Sequence, residues 1–138
     1  MAVNIRLASD ADIEALQALL LADPDQRITS VVWGVKGESC LGENVFLIEY
    51  FGEFAGFCTY RAAADEIFPL VVFTPFRRQK IGLEAMRQLI SILQRENVGE
   101  VMIDIVDGAE PFWEAVFAGY TVRHHSDRKY FITIPALV

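Results

Sequence analysis

The stretch FTPFRRQKIG, residues 73–82, sets Arg77, Arg78 and Lys80 at the head of an apolar helical pattern. Before it, residues 70–73 are continuously apolar; after it, Ile81, Ala85, Leu89 and Leu93 recur about once per helical turn. A strand therefore feeds a helix through a short basic elbow. The first turn of a helix offers unpaired backbone N–H groups and a partial positive charge, so an anion is favoured there. Three full positive charges strengthen that preference, and Gly82 lets a ligand approach the backbone of the first turn. The chemistry suits a phosphate or pyrophosphate. Neither G-x-x-x-x-G-K-[ST] nor G-x-G-x-x-G is present, so the elbow is neither a Walker loop nor a dinucleotide fingerprint. The competing reading is a solvated basic turn that caps a helix, and the residues alone leave both open.

Charge sharpens the question. The chain carries 12 basic and 19 acidic residues, a net −7, which argues against nucleic acid and makes the basic cluster a local anomaly. Other candidates are weaker. His124 and His125 lie in RHHSDRK and read as a solvated turn between the last two strands, with a place on the rim of a substrate site as the second reading. Trp33, Phe51, Phe54, Phe57 and Tyr60 suit either an acceptor pocket or, more commonly for aromatics on strands, a core. Cys40 and Cys58 show no metal or redox spacing, and Cys58 has no basic neighbour to activate it as a nucleophile. No metal site is expected.

The elements that must position the elbow follow from periodicity. VNIRLAS alternates as a strand. SDADIEALQALLLAD is a helix capped by Ser9 or Asp10, with Ile13, Leu16, Leu19 and Leu20 on one face. Residues 24–43 are irregular, with room for a short helix. Two strands then flank Phe51-Gly52-Glu53 as a hairpin, and EIFPLVVFT is an apolar strand in which Pro69 demands an edge, a bulge or a break in pairing. The helix over residues 80–97 places Glu84, Arg87, Gln88, Ser91 and Arg95 opposite its apolar stripe. EVMIDIV is a buried strand. GAEPFWEAVFAGY is a helix with Pro111 in its first turn and Gly119 at its C-terminal cap, and RKYFITIPAL closes the chain as a strand. The predicted fold class is α/β, a mixed sheet with helices on both faces, in one domain over residues 1–138. The hydrophobic fraction of 53% supports a sizeable core, no apolar run is long enough for a membrane span, and no signal peptide is evident. A soluble cytoplasmic protein without a membrane partner is expected.

The sequence resembles the GCN5-related N-acetyltransferase (GNAT) superfamily. Its signature, [Q/R]-x-x-G-x-[G/A] between the fourth strand and the following helix, aligns with residues 77–82, matching at Arg77 and Gly82 and departing at Lys80, which replaces the first glycine. The upstream residues 72–77 also fit, and the resemblance spans nearly the whole chain. It implies the GNAT order: strand, helix with a second short helix, three strands, helix, strand, helix and two strands, with the fourth and fifth strands splayed into a cleft. It further implies acetyl-CoA as co-substrate. Backbone groups of Leu70, Val71 and Val72 would pair with the pantetheine arm. The motif residue Arg77 and backbone N–H groups from Arg78, Gln79, Lys80, Ile81, Gly82 and Leu83 would hold the pyrophosphate, with Lys80 adding a contact or crowding the loop.

Acetyl transfer to an amine needs a neutral amine, a stabilised oxyanion and a proton for the leaving thiolate. The resemblance points to Glu66 as general base, eleven residues before Arg77, the offset used by the histone-acetyltransferase branch. Burial beside Ile67 and Phe68 would raise its pKa; the competing reading is a strand-edge carboxylate in water. The oxyanion donor would be a backbone N–H near Val71 or Val72. The proton-donating Tyr of many members is missing, with Trp113 or Phe117 in its neighbourhood. The implied function is transfer of acetyl from acetyl-CoA to a primary amine of a small molecule or peptide by direct attack, with Glu66 or a water chain as base. The alternative is a non-catalytic CoA-binding or protein-interaction module. Residues 22–44 and 120–130 would build the acceptor pocket, and the aromatic hairpin and final strand are compatible with a homodimer.

Overall fold

The computed structural model describes residues 2–23 and 43–136. Ten elements follow in order: β1 (Val3–Leu7), α1 (Asp10–Ala22), β2 (Glu43–Tyr50), β3 (Glu53–Arg61), β4 (Glu66–Val72), α2 (Ile81–Arg95), β5 (Glu100–Asp104), α3 (Glu110–Phe117), β6 (Thr121–Ser126) and β7 (Lys129–Thr133). They form one seven-stranded sheet in the order β1-β2-β3-β4-β5-β7-β6. Every pairing is antiparallel except β4 with β5. This is the α/β mixed sheet expected from the sequence.

The two faces bury separate cores. Ile81, Ala85, Met86, Leu89, Ile90 and Leu93 of α2 pack with Trp113 and Val116 of α3 against Ile67, Val101, Ile103 and Ile132. Each such large aliphatic side chain contributes on the order of 1.5–3 kcal/mol by leaving water. On the other face, Leu16 and Leu20 of α1 cover Val45, Leu47, Phe57 and Val71. The α1 stripe is narrower than expected: Leu19 is exposed, and Ile13 only half-buried. Its N-terminus is a capping box, the Ser9 hydroxyl accepting from the Asp12 N–H and the Asp12 carboxylate from the Ser9 N–H.

Three expectations change. Gln88 does not point away from the sheet: its amide accepts from the Ile5 N–H at 3.1 Å and donates to the Val3 carbonyl at 2.9 Å, satisfying the edge of β1. His124 and His125 lie within strand β6, and the turn after it is Asp127-Arg128. Both faces of β6 are largely exposed, so no alternation of polarity marked it as a strand. Gly119 follows the α3 cap, which is Ala118 in right-handed helical geometry. The short helix expected within 24–43, Trp33 and Cys40 fall outside the described residues.

Candidate active site

The site begins with a failure of pairing. β4 and β5 register only at Glu66–Met102 and Ile67–Ile103, although β4 runs on to Val72. Pro69 has no N–H to give, and the β3–β4 ladder shifts register opposite it, between Cys58 and Tyr60. The bulge thus sits just past the last β4–β5 pair, and the strands diverge from there. At the vertex, the Met102 N–H donates to the Asp65 carbonyl at 2.6 Å. Opposite β4, Gly56 lies so close to the Val71 carbonyl that no side chain fits.

The Phe73 N–H donates to Ala55 on β3 at 2.8 Å, so by strand alternation Val71 also faces β3, while Leu70 and Val72 turn away from it. The Val72 carbonyl accepts from Arg77 Nε at 3.1 Å. That leaves the Leu70 and Val72 N–H groups directed into the gap. Of the two donors considered from sequence, Val72 rather than Val71 has the free geometry.

The gap opens into a cleft of about 970 Å³. One wall is residues 67–72, the other 104–109 with Phe112, Trp113 and Ala115 of α3; the elbow forms one end. There a short 3₁₀ turn, Thr74–Phe76, is anchored by Asp23, whose carboxylate accepts from the Thr74 N–H at 2.8 Å and its hydroxyl at 2.6 Å. Arg78 and Lys80 then take left-handed backbone conformations, φ +64° and +61°. Each costs a residue with a side chain about 1–2 kcal/mol. Lys80 is the N-cap of α2 and contributes no side-chain cap, so the first N–H groups of α2 stay available. The turn that exposes them is the concave kind that favours anions.

Of the residues singled out in the sequence, Leu70, Val71, Val72, Arg77, Arg78, Lys80, Ile81, Gly82 and Leu83 line this cleft together. Gln79 and Glu66 do not line it. Glu66 is 9% exposed on the sheet face away from α2, its carboxylate 3.2 Å from Arg61. Gly82 has a packing reason as well: a Cβ there would lie 2.9 Å from the Phe112 ring. Cys58 is buried in the core, which pushes its thiol pKa up and removes it as a nucleophile. Phe57 and Tyr60 are core residues; Tyr60 donates to Asp65 at 2.8 Å, and burial with that bond pushes its pKa up to about 12. Phe51 is exposed on the hairpin turn. His124 bonds the Asp127 carbonyl through Nε2 and stacks on Tyr130, whereas His125 meets Phe131 edge-on; both lie outside the cleft.

The sequence reading missed Asp104, Asp107 and Arg128, which also line the cleft. Arg128 pairs with Asp107 at 2.6 Å, and its carbonyl accepts from the Ile105 N–H at 3.0 Å. No local pattern signals Arg128, because the β5–β7 register alone brings the distant hairpin turn to this wall.

The acetyltransferase (GNAT) family profile matches residues 15–118. The chain belongs to the GNAT family. That makes it an enzyme of the acetyltransferase class, in a family whose co-substrate is acetyl-CoA. No curated protein sequence matches this GNAT chain significantly. Solved structures agree on the fold. A GNAT-family acetyltransferase from Staphylococcus aureus Mu50 superposes with a TM-score of 0.69 at 13% identity, covering 97% of this chain and 100% of its own. The ribosomal-protein-S18-alanine N-acetyltransferase from Escherichia coli gives 0.65 at 18% identity, over 99% and 96%. The PaiA N-acetyltransferase from Thermoplasma acidophilum, solved in complex with coenzyme A, gives 0.67 at 14%, over 96% and 98%.

Proposed function

We propose that this GNAT protein binds acetyl-CoA in the β4–β5 cleft and transfers its acetyl group to a primary amine of a small molecule or peptide. The observation that carries this reading is the continuity of the cleft. It runs from unpaired β4 N–H groups to an uncapped α2 N-terminus flanked by Arg77, Arg78 and Lys80. The pantetheine arm would add its amides to the free edge as a further strand does, and the pyrophosphate would sit on α2. Gln79 would contribute its backbone N–H only. The Val72 N–H would donate to the thioester oxygen and hold the oxyanion as the amine attacks. No side chain on the α3 wall offers a ready proton, since Phe112, Trp113 and Ala115 face the cleft. The thiolate, a good leaving group, would be protonated by water. The amine would lose its proton through Glu66 or a water chain. Among the described residues no helix is long and apolar enough to cross a membrane, and a cytoplasmic enzyme is the setting we infer.

A screen of small-molecule and peptide amines with acetyl-CoA, following free thiol release, tests the reading. Amine-dependent release with a matching mass gain of one acetyl group is expected. Release that never exceeds the amine-free rate for any acceptor class would contradict it.

A further inference from the structure

Past the Phe73 N–H bond to Ala55, the chain leaves the sheet as the Thr74–Phe76 turn that carries the elbow. Inside the turn, the Phe76 N–H donates to the Phe73 carbonyl at 2.9 Å and the Arg77 N–H to the Thr74 carbonyl at 3.3 Å. Thr74 opens the turn, so its own N–H finds no acceptor within it. The acceptor comes from another layer. Asp23, the residue that caps the end of α1, takes both the Thr74 N–H and the Thr74 hydroxyl on its two carboxylate oxygens. For α1 itself this residue type is poorly placed. A carboxylate at a helix C-terminus meets the negative end of the dipole, and no basic residue stands in the last turn to offset it. The Thr74 contacts give Asp23 its role on the elbow instead. The other anchor of the turn is Phe76, packed against both cores. Directly beyond it, Arg77 bonds the Val72 carbonyl, and Arg78 and Lys80 take the left-handed conformations that bare the start of α2.

We propose that Asp23 is a positioning residue for the co-substrate: it buckles α1 to the elbow, holds the elbow in its anion-receiving shape, and so couples α1 to acetyl-CoA binding. This rests on the acetyl-CoA reading above. Two left-handed residues in succession make the elbow a strained segment, which keeps its shape only where its surroundings hold it. Without the buckle, the elbow would spend part of its time in relaxed conformations, and apparent affinity falls by the fraction of time the competent shape is lost. The coupling runs both ways, as linkage requires. Pyrophosphate on the elbow keeps the Thr74 donors directed at Asp23 and thereby restrains the last turn of α1. That turn is open to such control, because only Leu16 and Leu20 of α1 are fully buried.

The test needs no knowledge of the natural acceptor. Calorimetric titration of the whole protein with acetyl-CoA should show binding about tenfold weaker in Asp23→Ala. Charge alone predicts the opposite sign, since removing a carboxylate near a site for anions would tighten binding. Asp23→Asn, whose amide accepts from the N–H and donates to the hydroxyl, should fall between the two. Thr74→Val should weaken binding and Thr74→Ser should preserve it, a comparison that stands on its own if Asp23→Ala does not fold. Hydrogen exchange at saturating acetyl-CoA then separates coupling from a merely structural role. In the unaltered protein the ligand should slow exchange at residues 20–23 as well as in the first turn of α2; in Asp23→Ala or Thr74→Val only the α2 effect should remain. Affinity unchanged or tightened in Asp23→Ala and Thr74→Val, or ligand protection of residues 20–23 that survives in them, would overturn the assignment. Failure of acetyl-CoA to bind the unaltered protein would instead strike the acetyl-CoA reading, and this inference with it.

Discussion

Lys80 lines the cleft at a cost to stability. Its backbone is left-handed, φ +61°, at the motif position where a glycine would carry no penalty. Replacing it with glycine should relieve about 1 kcal/mol of that cost after allowing for the greater freedom of glycine in the unfolded chain. The same change removes a cation from the cleft. Lys80→Gly should therefore raise the melting temperature by a few degrees while weakening acetyl-CoA, measured by thermal unfolding and calorimetry on one preparation. A lower melting temperature would show that the lysine is not strained. Gly82 resolves differently. The sequence suggested room for a ligand, whereas its neighbour in space is Phe112, from a helix thirty residues away. Contacts between distant residues of this kind have no local signature.

At the level of elements, the cleft exists because β4 is committed to β3 over its length and to β5 over two residues. Gly56 sets how closely β3 and β4 approach. A methyl there collides with the Val71 carbonyl, a backbone atom that moves only with the strand. Gly56→Ala should cost more than about 2 kcal/mol, seen in denaturant unfolding, and should also reduce acetyl-CoA affinity by shifting the β4 edge. An effect under a few tenths of a kcal/mol would contradict this packing. Much of this architecture was legible in the sequence. Pro69 announced a break in pairing, and the Ile81, Ala85, Leu89, Leu93 stripe announced α2, because both signals are local. Arg128 was not legible, since cross-strand register rather than spacing brings it to the wall that holds Asp104 and Asp107. Strand β6 was misjudged because burial, the source of alternation, is missing on both its faces.

Across the whole molecule, α1 is the lightly held layer, with only Leu16 and Leu20 fully buried. Its N-terminus is tied to the sheet through Arg6, which bonds Asp12 at 2.7 Å and Glu49 of β2 at 3.1 Å. The Arg6 hydrogen bond, with that of the Ser9 N–H, pulls the Asp12 pKa down from 3.8 to about 2. A carboxylate with a lowered folded pKa contributes stability that is complete above its unfolded value and fades as pH falls toward the folded one. Asp12→Asn should thus lower the melting temperature at pH 7, and the difference from the unaltered protein should shrink between pH 4 and pH 2. A difference independent of pH would show that the charge is not what matters.

The basic elbow of this acidic GNAT protein is proposed to hold the pyrophosphate of acetyl-CoA. Calorimetric titration with acetyl-CoA, with ATP as the control anion, tests it most directly. Binding of acetyl-CoA on the order of 1–10 μM is expected, with much weaker binding of ATP and a loss of about tenfold or more in Arg77→Ala. Equal affinity for the two ligands, or no heat with acetyl-CoA, would contradict it.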